Sequence, residues 1–294
     1  MTRAPLPLPV LSALFAVALL SLMDALMKGA SLAVGAYSAA FLRSLMGVGL
    51  VAPVWLGRGG RWPSPEVMRV HLLRGVNGSF MALTFFYALT KLPLAETIAI
   101  SFVAPLVSLY LAAIFLKERI RREAIVAAVL GLVGTLIIIG GKIGRAPMGE
   151  DAILGLAAIL FSALLYAGNL VISRHQAQLA QPLEISAFHS GVGALVLGLA
   201  APWLLRLPDA QAALLIAGSS LLTVIGMVAF AWAYARAEAQ VLVPMEYSSF
   251  GWAVLFGWLF FGEGVTATTV LGTALIVLGC WLAARRKEPE QVVV

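Results

Sequence analysis

Charge is scarce in this sequence. Of 294 residues, 12% are Asp, Glu, Lys or Arg, while 61% are hydrophobic. A soluble domain carries about 25% charged residues, and a soluble fold of this length has nowhere to put so much apolar surface. Cysteine is nearly missing. Cys280 stands alone inside the last apolar run, which excludes an intrachain disulfide and reads as a small buried apolar residue. Histidine occurs three times, at His71, His175 and His189. The first two are expected in loops. No His, Cys and carboxylate residues share metal-ligand spacing, so no metal and no cofactor are expected. There is no phosphate-binding loop either: Gly141-Lys142 is followed by Ile143. That argues against ATP as an energy source on this chain, and no ATPase subunit is expected.

What is present comes in apolar blocks. A helix needs roughly 20 apolar residues to cross a bilayer core of about 30 Å. Spans are expected near 9–30, 37–56, 70–90, 95–116, 123–141, 151–172, 184–204, 211–235, 240–261 and 268–284. The separators are short and hold most of the Gly, Pro, Arg and Glu, so neighbouring spans form helical hairpins. A transmembrane barrel would show alternating segments of about ten residues, and these runs do not alternate. The N-terminal run is too long for a signal peptide and contains Asp24 and Lys28, so it reads as a retained first helix.

The formal charge of +6 is placed asymmetrically. Fourteen of the twenty Lys and Arg fall on the side that holds both termini, among them Arg58, Arg61, Arg119, Arg121, Arg122 and Arg285. Five fall on the other side: Lys28, Lys91, Lys142, Arg145 and Arg206. Arg43 lies within a span. Positive residues stay cytoplasmic, so both termini are expected in the cytoplasm of a bacterial inner-membrane protein. The positive charge therefore faces a lipid bilayer, not nucleic acid.

The chain also matches itself at a shift of about 146 residues. Lys28 falls on Arg174, Arg43 on His189, Tyr87-Ala88 on Tyr234-Ala235 after a one-residue slip, Phe115–Glu118 on Phe260–Glu263, and Gly134 on Gly279. Each half, 1–146 and 147–294, then holds five helices. An odd number inserts the second half from the opposite side, which makes an inverted repeat. The expected fold class is an all-α membrane protein of ten transmembrane helices, two inverted five-helix repeats around a central cavity.

These features carry a family resemblance. The two five-helix repeats, Arg43 in the second helix, Tyr87-Ala88-Leu89 closing the third and the Leu116-x-Glu118 ending of the fourth resemble the drug/metabolite transporter superfamily, and within it the EamA-type exporters. The resemblance covers about residues 9–286 and is nearest in feel to the bacterial aromatic amino-acid exporter. It implies export of amino acids, related metabolites or drugs. The second half departs from the pattern, with Phe261 for the Leu, His189 for the Arg and Phe250 where Pro105 sits.

Polar side chains at membrane depth are costly and face a protein interior or a wet cavity. At helical spacing they form stripes: Ser21, Asp24, Lys28; Asn77, Phe80, Thr84, Tyr87; Thr97, Ser101, Pro105; Ser162, Tyr166, Asn169; Ser219, Thr223, Phe230, Tyr234. Glu246, Tyr247 and Ser249 join them in the ninth span, and Trp232 in the eighth. Helices 1, 3, 4, 6, 8 and 9 are expected to line the cavity, with 5 and 10 outside. Each site has a bland alternative: Ser and Thr bond their own helix, Asn77 and Asn169 are either interhelical glue or substrate contacts, Asp24 and Lys28 pair along one helix, Arg43 ties helices together, and Glu118 and Glu263 cap or gate. Coupling or gating is assigned to Asp24, Lys28, Pro105 and Glu246, with protons as the candidate coupling ion. The rival readings are a multidrug or cation exporter, an uncoupled facilitator of the same fold, a channel, and an intramembrane hydrolase built on His189-Ser190.

Overall fold

The computed structural model describes residues 7–104, 107, 111, 122–143, 149–234, 236 and 245–284. The longer helices are α1 (Pro7–Val34), α2 (Ala36–Gly57), α3 (Pro65–Lys91), α4 (Leu94–Ser101), α5 (Arg122–Ile143), α6 (Glu150–Leu179), α7 (Pro182–Gly198), α8 (Ala210–Tyr234), α9 (Ser249–Phe261) and α10 (Ala267–Ala284). A single turn, Ala201–Leu204, follows α7. No strand occurs among the described residues. Local sequence explains several boundaries. Ser64 caps α3 by accepting from the Val67 N–H, with Pro65 and Glu66 in its first turn. Pro182 and Glu184 likewise lie in the first turn of α7, which has no side-chain cap.

Helices α1, α2, α3, α6 and α8 are long and apolar enough to cross a membrane. The apolar stretches of α5, α9 and α10 are shorter: Val129–Gly141, Ser249–Phe261 and Ala267–Gly279. The outer faces carry large exposed apolar side chains such as Leu195, Leu199, Leu214 and Val228. A face of that kind is stable against lipid and not against water. The chain is a multi-pass helical bundle. The expected span 95–116 is described only in its first part, and 240–261 only from Met245.

The packing follows a two-fold pattern. Five helix pairs show it, α1 with α8, α3 with α6, α2 with α7, α4 with α9 and α5 with α10, alongside the further pairs α3 with α7 and α1 with α9. Exchanging each helix for its counterpart five places on turns the α1–α8 pair into α6–α3 and returns each of the other three to itself. Side-chain contacts repeat the exchange. Gly47 of α2 lies against Ser190 of α7, and Gly193 of α7 lies against Ser44 of α2. Those two contacts are one contact swapped between halves at the shift of 146.

The last helix of each half corrects the alignment. The sequence match equates Gly134 with Gly279, whereas the packing equates it with Gly272. A Cβ on Gly134 would sit 2.4 Å from the Gly272 carbonyl oxygen, and one on Gly272 would sit 2.4 Å from that of Gly134. Ile276 and Ile138 flank this crossing reciprocally. Backbone approach this close needs glycine on both helices, and that requirement sets the register. In runs of Gly, Ala, Leu and Ile, a slip of two turns leaves the sequence pattern almost unchanged. Among the described residues, α5 and α10 pack chiefly on one another and reach the rest of the bundle through α4.

Candidate functional site

Both halves break a helix at the same place. In α4 the regular ladder ends at Phe102, whose N–H turns back to the Ala99 carbonyl three residues earlier. In the second half Met245 and Glu246 form a helical turn, Tyr247 and Ser248 form a tighter one, and α9 begins at Ser249. Phe102 and Ser248 differ by the repeat shift of 146. The ring of Phe102 meets Tyr247 edge-on at 5.4 Å between centroids, so the two breaks touch. Interrupted helices at matching positions of two repeats mark binding regions in transporters. Glu246 was expected well inside the ninth helix and instead precedes this break.

Beside the breaks lies a group of ionisable side chains drawn from four helices: Asp24 of α1, Arg43 of α2, Tyr166 of α6 and His189 of α7. Each of the four is half-buried. Asp24 and Arg43 lie within electrostatic reach of one another, as do Tyr166 with Glu246 and Asp24, and His189 with Arg74 and Arg43. The guanidinium of Arg43 is 5.3 Å from the Phe86 ring centroid. His189 rests on α3 because residue 78 is glycine: a Cβ there would come 2.6 Å from the imidazole Cε1. Arg43 Nε and His189 Nδ1 are buried without a hydrogen-bond partner among the described residues.

A polar seam runs along α3 and α6 on the half of the bundle nearer the termini. Asn77 donates to the Leu165 carbonyl at 2.9 Å, and Ser162 donates to the Met81 carbonyl at 2.9 Å. Arg74 donates to Asn169 Oδ1 at 3.3 Å and to Gln176 Oε1 at 2.6 Å. With its oxygen held by Arg74, Gln176 turns its amide N–H toward His71 Nδ1 at 2.7 Å. His71 then carries its proton on Nε2 and donates to Glu184 Oε1 at 3.0 Å. Its ring stacks on Phe188 at 4.6 Å. The expectation of loops for His71 and His175 was therefore wrong. His71 is buried in α3 and His175 lies in α6. Buried polar groups need partners, and His71 finds them on α6 and α7, more than 100 residues away in sequence.

At the opposite end Lys28 forms an ion pair with Glu263 and donates to the Leu92 carbonyl at 2.8 Å. Its ammonium lies 5.1 Å from the Phe261 ring centroid. The other oxygen of Glu263 accepts from the Leu94 N–H at 2.7 Å and so caps α4. One carboxylate thus joins the end of α1, the α3–α4 connection and the α9–α10 connection. Of the capping and gating roles read for Glu263, the cap is the one this geometry displays. Glu118 and Pro105 lie outside the described residues.

The remaining expected site residues are scattered. Phe80 shares the exposed stripe of α3 with Leu73 and Val76. Thr84 bonds back to the carbonyls of Phe80 and Met81, and Ser101 to that of Ile98. Tyr87 lies under the Lys91 ammonium, which pairs with Asp151 at 2.5 Å. Trp232 stacks beneath Arg236 near the end of α8. Ser249 opens α9, and the side chain of Tyr234 lies outside the described residues.

The model of the EamA-like transporter family matches residues 7–140 and 153–285. The chain belongs to the EamA-like transporter family. As a member it is a secondary membrane transporter of small molecules and not an enzyme. It is similar to the pseudopaline exporter CntI of Pseudomonas aeruginosa, 28% identical over 283 residues, covering 95% of this chain and 96% of that one. It is also 25% identical over 249 residues to a riboflavin transporter of Brucella anthropi, covering 81% and 84%, and 29% identical over 215 residues to an uncharacterized transporter of Helicobacter pylori, covering 72% of each. One solved crystal structure superposes with a TM-score of 0.64 at 22% identity, over 94% of this chain and 96% of the other, and shares the EamA-type fold.

Proposed function

We propose that this transporter exports a small amino-acid-like metabolite by alternating access, using ten transmembrane helices in two inverted five-helix repeats around a central cavity. The observation that carries the reading is the interior group of Asp24, Arg43, Tyr166 and His189 beside helix breaks that coincide under the repeat shift. Charged and polar groups of that kind are expensive in a membrane unless a ligand or water uses them. The exchange symmetry of the helix pairs supports rocking of one half against the other. The Lys28–Glu263 clasp fits a closed state at the end away from the termini.

Outward direction is supported by the printed activity of the CntI relative, an exporter. The excess of Lys and Arg on the side of the termini supports cytoplasmic termini in a bacterial inner membrane. Asp24 and Glu246 are the groups positioned to exchange a proton during the cycle. The purified protein in liposomes, given a panel of labelled amino acids with and without a proton gradient, tests all of this. Saturable flux that responds to the gradient supports proton-coupled export. Saturable flux indifferent to the gradient makes the protein a facilitator. Flux of organic cations without amino-acid flux refutes the substrate class.

A further inference from the structure

The seam between α3 and α6 has one consistent set of hydrogen bonds, and that set fixes how many protons His71 holds. Arg74 can only donate, so Gln176 must present its oxygen to Nη1 at 2.6 Å. The Gln176 amide nitrogen is then left facing His71 Nδ1 at 2.7 Å. Nδ1 must accept, and the single ring proton stands on Nε2, directed at Glu184 Oε1 at 3.0 Å. The imidazole has no side-chain exposure, while Glu184 keeps 19%. An amide at residue 71 would bond both partners equally well. An imidazole makes the pattern depend on pH, because histidine is the side chain whose charge changes between about pH 5 and 8.

A second proton on His71 does not fit this arrangement. It would stand on Nδ1 and oppose the Gln176 N–H at 2.7 Å, donor against donor. Turning the Gln176 amide over offers its oxygen to the imidazolium, and it needs no extra room because the two ends of the amide exchange places. The turned N–H then opposes Arg74 Nη1, another donor, across the 2.6 Å contact. Arg74 loses its short bond to α6 and keeps the longer one, from Nε to Asn169 Oδ1 at 3.3 Å. A proton on His71 Nδ1 and the Arg74–Gln176 bond therefore exclude one another. Glu184 makes the second proton attainable, because its carboxylate is a ready counter-charge for the imidazolium. Among the described residues, the polar groups bonded to the ring are Glu184 of α7 and Gln176 of α6, and Phe188 of α7 stacks on it. Helices α1, α2 and α4 also pack on α3 and bring no ionisable side chain into contact with the ring. Arg58, Arg61, Glu66, Arg69 and His175, at the same end, are exposed.

We propose that His71 is a proton-binding site and that His71, Gln176 and Arg74 form a proton-operated latch between α3 and α6. Neutral His71 holds Arg74 on Gln176, and protonated His71 releases it. Arg74 stands about one helical turn from Gly78, on which His189 of the interior group is seated, so the released charge lies beside that group. The inference goes beyond the proposed function, which gives the exchanged proton to Asp24 and Glu246. It rests on that reading only for its consequence in transport: exchange between conformations is slower while the latch is closed and faster in acid.

Solid-state NMR of the protein in lipid bilayers, with histidine and arginine nitrogens labelled, reads both ends of the latch. The chain has three histidines, and His71→Gln identifies the signals of His71. The expected result is a neutral ring with its proton on Nε2 at about pH 8 and a doubly protonated ring at about pH 5. The Arg74 guanidinium signals are expected to step at the same midpoint. That step is lost in His71→Gln, whose amide imitates the neutral ring. It is also lost in Gln176→Glu, whose carboxylate accepts from imidazolium and guanidinium at once. Counterflow of L-phenylalanine in liposomes, at equal pH on both sides, is expected to quicken on the order of fivefold over the same range in the wild type and to lose that response in both variants.

An Arg74 step that survives in His71→Gln overturns the inference, as does a His71 that gains its second proton without moving Arg74. A ring that stays neutral at about pH 5 overturns it too. NMR steps that follow the expected pattern without any counterflow refute the transport reading and keep the proton site. Counterflow whose pH response is unchanged in His71→Gln keeps the transport reading and overturns the latch.

Discussion

Replacing Glu263 with Gln removes one charge from the clasp at the end away from the termini and keeps the shape. The amide oxygen still accepts from the Leu94 N–H, so the cap on α4 survives. The Lys28 ammonium, with 5% side-chain exposure, loses its ion pair with Glu263. Breaking a buried ion pair by removing one partner costs about 3–5 kcal/mol. Glu263 is 20% exposed, which admits some screening, and Lys28 keeps the Leu92 carbonyl. The lower bound of about 3 kcal/mol is therefore the appropriate magnitude. If this clasp holds that end shut, the closed-to-open ratio falls by a factor on the order of a hundred, at about 1.4 kcal/mol per tenfold. Thiol labelling measures the shift. With Cys280 replaced by Ser, one cysteine at Val254, in the cleft beside Glu96 and Glu263, is exposed to a membrane-impermeant maleimide. The labelling rate is expected to rise at least tenfold in Glu263→Gln and similarly in Lys28→Met, and the double variant is expected to add little to either. Equal rates in wild type and variants, with folding intact, refute the reasoning.

Gly134→Leu or Gly272→Leu forces a side chain into the 2.4 Å approach between α5 and α10. The melting temperature in detergent is expected to fall by the equivalent of about 1–3 kcal/mol, while Gly140→Ala, which meets open space, leaves it unchanged. Gln176→Leu deprives both His71 and Arg74 of a partner at once, a loss of roughly 2–4 kcal/mol. A melting temperature within 1 °C of wild type, on the order of a few tenths of a kcal/mol, would show that the seam is not a connected network. Asn77→Ala removes the bond to Leu165 and is expected to cost about 0.6–2 kcal/mol, measured by the same unfolding assay.

Hydropathy and charge made the membrane character and most of the spans legible, because a lipid environment tolerates few other patterns. The repeat was legible where chemistry was distinctive. Arg43 over His189 survives as the exchanged Gly47–Ser190 and Gly193–Ser44 contacts. It failed at Gly134, where a uniformly small and apolar helix leaves the register to backbone contact with a partner 138 residues away. The polar stripes showed which helix faces avoid lipid, but not what they meet. Asn77 and Asn169 looked equally suited to glue and to substrate, and the distances to Leu165 and Arg74 now give each a protein partner. Arg43 looked like a tie between helices, and its guanidinium lies over the Phe86 ring of α3 with Nε buried and unbonded among the described residues. His71 was invisible as a buried group because its partners come from the other half of the chain. The only local signal was a histidine three residues before an arginine on one helix face.

The most direct test of the account is counterflow. Liposomes holding the wild-type protein are loaded with unlabelled phenylalanine and diluted into a trace of labelled phenylalanine, with no pH or voltage difference across the membrane. A carrier that alternates between two faces predicts a transient accumulation of label above its equilibrium level, followed by decay, and predicts that Arg43→Gln abolishes the overshoot. A simple monotonic approach to equilibrium would contradict alternating access, and absence of any protein-dependent entry across a panel of zwitterions would contradict the substrate class.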